Sequence, residues 1–123
     1  MKNPTQIVTD FCNAVPRRNV EELVGFFSVD AIYHNIPIAP VKGRDAIAAT
    51  LRGFLDPSTE AEFELLAIVG EGRKVLTERI DRFAINGKQI ALPVMGAFEI
   101  DAQGKICAWR DYFDLAQFTK QMS

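Results

Sequence analysis

The chain of 123 residues is long enough for a single domain, 1–123, with a modest core. With 48% apolar and 24% charged residues it reads as an ordered globule, and nine Phe could fill that core or line an apolar cavity. The net charge of -2, with no basic cluster longer than Pro16-Arg17-Arg18, argues against nucleic acid and anionic membrane as partners.

No apolar run approaches the roughly 20 residues that span a bilayer, and no charged-then-apolar leader opens the chain, so a cytoplasmic protein is expected. Cys12 and Cys107, the only cysteines, form neither a disulfide framework nor a metal motif.

Asn3-Pro4 predicts an N-cap with proline at the first helical position, and Gln6 has capping-box spacing. The stripe Ile7, Val8, Phe11, Ala14 and Val15 follows, until Pro16 ends or kinks the helix. Asn19 and Glu22 repeat the cap spacing before a short second helix carrying Leu23, Val24, Phe26 and Phe27. Ala31 to Ile36 reads as a short strand running into the loop Pro37 to Pro40. Gly43 precedes a third helix with Ile47, Ala48, Leu51 and Leu55 on one side, closed by Asp56-Pro57.

The rest is strand-rich. Glu60 to Val69 alternates, with Phe63, Leu65, Ala67 and Val69 inward and the glutamates as a solvated face. Gly70-Glu71-Gly72 turns the chain into a strand over 75–85, and Asn86-Gly87 signals a tight hairpin. The next strand places Ile90, Leu92, Val94, Gly96, Phe98 and Ile100 on one face, and its Pro93 predicts an edge, a bulge or a bend. A turn at Asp101 to Gly104 leads to a strand over 105–113. Asp114 then caps a last helix with Leu115, Phe118 and Met122 inward. The order predicts an α+β fold with helices on a curved, mostly antiparallel sheet and an apolar pocket on its concave side.

Two strands break their own pattern. Val75, Thr77, Arg79, Asp81, Phe83 and Ile85 share a face that is apolar at both ends and charged in the middle. Cys107, Trp109, Asp111 and Phe113 share another, with Asp111 as the ionisable intruder. Buried charges are costly unless paired, so these residues form either a structural ion pair or a working acid pair. Two carboxylates in one site push their pKa values apart, leaving one as acid and the other as base, with Arg79 compensating charge between them.

Tyr33 and Asn35 alternate on one strand face and could hold a water beside an aspartate, or could simply cap the Pro37 loop. His34 falls on the opposite face and reads as a packing or surface residue. Trp109 reads as core packing before pocket wall. No metal-ligand spacing, serine triad or phosphate-binding loop is present.

Tyr33-His34-Asn35-Ile36-Pro37, Thr77-Glu78-Arg79-Ile80-Asp81 and Trp109-Arg110-Asp111-Tyr112-Phe113-Asp114, in this order and spacing, resemble the motifs of the limonene-1,2-epoxide hydrolase family. The resemblance runs from the first helix to the last. It implies the cone-shaped α+β fold shared with nuclear transport factor 2, steroid isomerases and polyketide cyclases. It also implies no metal or organic cofactor, a homodimer, and a small apolar epoxide and water as partners.

The family's functional set falls on Tyr33, Asn35, Arg79, Asp81 and Asp111. By that resemblance Asp111 is the base, Tyr33 and Asn35 hold the water, Asp81 is the acid and Arg79 bridges the two. The chain starts close to its first helix where the limonene enzyme carries extra residues, so a wider pocket opening is expected. The rival expectations are a ketosteroid-isomerase-like or polyketide-cyclase-like enzyme, and a binding protein without catalysis.

Overall fold

The computed structural model describes residues 2–123. Helix α1 (Pro4–Ala14) starts where the Asn3 side chain accepts the backbone N–H of Gln6, and buries Ile7, Val8, Phe11, Cys12 and Ala14. A 3-10 turn, Val15–Arg17, carries Pro16 and ends at Arg18, which has a φ of 52°. Helix α2 (Val20–Val24) is capped by Asn19. Strand β1 (Phe27–Asn35) then begins earlier than the sequence pattern suggests. Phe27 therefore belongs to the sheet and not to the second helix, since helix α2 stops at Gly25 after little more than one turn.

A two-residue strand, β2 (Val41–Lys42), pairs with β1 and leads into α3 (Arg44–Leu55). Strands β3 (Ser58–Glu71), β4 (Lys74–Ile85), β5 (Lys88–Ile100) and β6 (Ile106–Tyr112) follow, and α4 (Leu115–Met122) ends the fold. The sheet order is β2-β1-β6-β5-β4-β3. Its pairings are antiparallel except β1 with β6, which run parallel and set Tyr33 beside Trp109 and Asn35 beside Asp111. The Asn86-Gly87 hairpin forms as expected, both residues taking positive φ (53° and 77°) as a primed turn requires.

Three strand patterns depart from simple alternation. The β3–β4 register shifts between Leu65 and Ala67. One extra residue reverses the faces beyond it, so Ile68 packs on the core while Ala67 and Val69 are exposed. Likewise, a shift between Glu99 and Ile100 takes Cys107 off the inner face and gives its place to Ile106. Pro93 lies in a strand paired on both sides, but β6 stops pairing at Met95↔Tyr112. That half of β5 is a local edge, where a missing N–H leaves no ladder bond unmade.

The core is aromatic. Phe11 packs edge-on against Phe27, Phe98 and Trp109, with ring centroids 5.2–6.2 Å apart. Each such pair adds about 0.5–1.5 kcal/mol to its area burial. Helix α1 brings Phe11 into this cluster, and residues of α3 and α4 line a cavity elsewhere on the concave face.

Candidate active site

Arg79, Asp81 and Asp111 meet in the interior at 0%, 5% and 3% exposure. Arg79 and Asp81 are two residues apart on β4, so the strand period puts both on the concave face. Asp111 arrives two strands away, opposite Gly96 of β5.

The guanidinium makes two forks. Its Nε and Nη2 donate to Asp81 Oδ1 and Oδ2 at 2.9 and 2.8 Å. Its Nη1 and Nη2 donate to Asp111 Oδ1 and Oδ2 at 3.2 and 2.8 Å. The fifth N–H goes from Nη1 to Thr77 Oγ1 at 3.1 Å. Every donor of this buried cation is thereby paired, and the Phe63 ring lies 4.7 Å from its central carbon.

Two residues outside the expected catalytic set complete the arrangement. Trp109 donates its indole N–H to Asp111 Oδ1 at 2.7 Å. Its ring lies between Tyr33 (centroids 4.0 Å, 6° apart in plane) and Phe98 (5.5 Å, 14°). Trp109 is therefore core, as its pattern suggests, and also an orienting donor. Gly96 faces the guanidinium so closely that a Cβ there would collide with Arg79 Nη1, Asp111 Oδ1 and Thr77 Oγ1. The inward glycine amid larger residues on β5 is the only sequence sign of that crowding.

Burial drives the electrostatics. Loss of water pushes the Asp81 carboxyl up to about 6, Arg79 opposes this, and the Asp111 charge adds to it. The Tyr33 phenol is held well above its usual value by burial and then by Asp111, with Asn35 pulling the other way, so it stays protonated. Three N–H donors reach Asp111 and two reach Asp81.

Tyr33, Asn35, Asp81 and Asp111 line one cavity of about 300 Å³. Arg79 lies behind the two carboxylates. The other walls are chiefly apolar, with Phe54 from α3, Phe63, Phe83, Leu92 and Val94 from the sheet, and Leu115 and Phe118 from α4. A few converging polar groups at one end of an oily pocket is the usual make-up of a small-molecule site. A more open groove of about 390 Å³ also exists, but its ionisable residues, among them Arg18, Glu62 and Arg82, are all exposed. His34 lies off the site on the outer face beside Arg110. Among the described residues there is no cluster suited to a metal ion and no helix long and apolar enough to cross a membrane.

A curved mixed sheet with helices closing a cone over one cavity is the nuclear-transport-factor-2-like architecture, also called ketosteroid-isomerase-like. A Catenulispora acidiphila protein of that fold superposes with a TM-score of 0.84, covering 98% of this chain and 93% of that one at 21% identity, a likeness of fold alone. Residues 2–123 match the limonene-1,2-epoxide hydrolase catalytic domain, and the chain belongs to that family. It is 31% identical over 113 residues to epoxide hydrolase EphG of Mycobacterium tuberculosis, spanning 92% of this chain and 74% of that protein. A solved M. tuberculosis LEH-like epoxide hydrolase has a TM-score of 0.83 and 30% identity, covering 96% of this chain and 87% of that one.

Proposed function

We propose that this protein hydrolyses a small apolar epoxide, cyclic or terpene-like, to a vicinal diol by direct attack of water. The observation that carries this reading is one buried arginine forked between two carboxylates at the polar end of an oily cavity. Family membership supports the reaction class, and the chemistry of the site supports the roles proposed for its residues.

Burial raises the Asp81 carboxyl, which makes Asp81 the acid, and Asp111, which accepts one more N–H than Asp81, is the base. Asp111 then accepts a proton from water held by Tyr33 and Asn35. The water oxygen bonds to an epoxide carbon as the ring C–O bond breaks, and Asp81 protonates the departing oxygen. Water is added across the bond with no net change in protons. Arg79 offsets the single negative charge whichever carboxylate carries it, and the proton must return to Asp81 before the next turnover. An alkoxide leaving group needs this push and pull, because strain weakens the C–O bond without stabilising the charge released.

The outer face of the sheet also fits a homodimer. Ile32, Leu76, Met95 and Tyr112 lie there at 42–51% exposure, on adjacent strands.

The test is a single turnover in heavy-oxygen water on cyclic epoxides, with chiral analysis of the diols and with Asp81→Asn and Asp111→Asn alongside. The label should enter the diol, and each folded variant should lose roughly two or more orders of magnitude in turnover. Label in a carboxylate would demand an ester intermediate. Near-normal turnover in either variant would sink the assigned roles. Double-bond migration in a ketosteroid without diol formation would favour an isomerase, and terpenoid binding without any conversion a binding protein.

A further inference from the structure

Beyond Met95, β5 has no β6 partner, and what covers its backbone there is a side chain. Gln121 of α4 accepts the Ala91 N–H through Oε1 at 2.7 Å and donates Nε2 to the Ala91 carbonyl at 2.9 Å. Its amide stands in for the missing residue of a sixth-strand ladder. One further strut, Lys88 Nζ to the Met122 carbonyl at 2.6 Å, fastens the end of the helix.

Little else holds α4. None of its residues is fully buried: Phe118 and Met122 pack partly against the core, and Leu115, expected to point inward, is exposed. Its first turn is capped locally by Asp114, which accepts the Gln117 N–H, so the helix is closed as a unit and joins β6 only through Phe113-Asp114. Leu115 and Phe118 nonetheless wall the cavity that holds Asp81 and Asp111. A self-contained element with few buried contacts is the kind that opens locally.

We propose that α4 is a hinged wall of the cavity and that Gln121 is its latch, setting how readily a bulky apolar guest is admitted. The proposal deepens the site reading above, but its test needs no chemistry. Each hydrogen bond between the Gln121 amide and Ala91 is exposed and of ordinary strength, so breaking both should favour opening without unfolding the sheet.

Gln121→Met keeps side-chain length and loses both bonds. Gln121→Glu keeps the acceptor and loses the donor. Hydrogen exchange at the Ala91 amide should rise by roughly tenfold in Gln121→Met and less in Gln121→Glu, with β3 and β4 amides unchanged. Menthol, a non-reacting apolar alcohol, should bind Gln121→Met with an association rate several-fold above the parent protein, followed by NMR exchange. Its dissociation rate should rise in parallel, leaving affinity nearly constant.

Unchanged Ala91 exchange would overturn the latch. Raised exchange with an unchanged menthol association rate would overturn the gate, as would the absence of menthol binding to either protein. A protein that shows the faster menthol entry yet hydrolyses no epoxide would overturn the hydrolase reading and leave the gate standing.

Discussion

Gly96 shows how tightly single residues define the site. The guanidinium can lie flat between Thr77 and Asp111 only because nothing projects from β5 at that point. Gly96→Ala should either push Arg79 out of its double fork or break the β4–β5 pairing. We expect a loss of thermal stability together with a loss of turnover, measured by calorimetry and by epoxide assay. Unaltered stability and activity would show that the crowding is not real.

Asp81 sets the pH dependence at the same scale. Its carboxyl sits near 6 in the fold, raised first by burial, against an ordinary value of 3.8. The native state thus holds this proton more tightly than the unfolded chain. The stability it contributes is fully present below about 3.8, falls as pH rises, and is lost above about 6. Asp81→Asn mimics the protonated form, so its melting temperature relative to the parent should climb between those values. For the parent, kcat/KM should decline on the alkaline side with an apparent pKa near 6 as Asp81 loses its proton. A profile rising through that range would make Asp81 a base.

At the scale of elements, the irregularities in β3 and β6 decide which side chains meet the core. The shift after Leu65 buries part of Ile68 and exposes Val69 to 61%. Ile68→Ala should therefore cost about 1–3 kcal/mol in urea unfolding, while Val69→Ala should stay within about 0.5 kcal/mol. Equal costs would mean that simple alternation persists to the end of the strand. The parallel pairing of β1 with β6 matters more for chemistry. It lays Asn35 beside Asp111 and Tyr33 against Trp109, uniting residues from the two ends of the chain.

At the scale of the molecule, the sheet divides labour between its faces. The concave face holds the aromatic core and the acid pair. The convex face leaves Ile32, Leu76, Met95 and Tyr112 in contact with water. Burying such a patch contributes roughly 25 cal/mol per Å² before association costs, which is the drive behind the proposed homodimer. Light scattering should give twice the chain mass, and Met95→Lys should shift the protein toward monomer. A monomeric parent at tens of micromolar would exclude that use of the face.

Period-two and helical patterning determined the element order, apart from the two-residue β2, and the two charged intrusions, because alternation along a strand is a local property of the backbone. It brought Arg79 and Asp81 to one side by geometry alone, and marked Asp111 as out of place among apolar neighbours. Only the tertiary structure decided that Asp111 faces the same guanidinium, since that depends on which strand lies two ladders away. The bulges that move Ile68, Val69 and Cys107 were likewise illegible, because an extra residue in a ladder is defined by its partner strand. The indole N–H on Asp111 and the closeness of Gly96 to Arg79 exist only between strands. The sequence could supply the chemical groups, but distance, burial and the displaced pKa of Asp81 arise when the sheet curls and water is excluded.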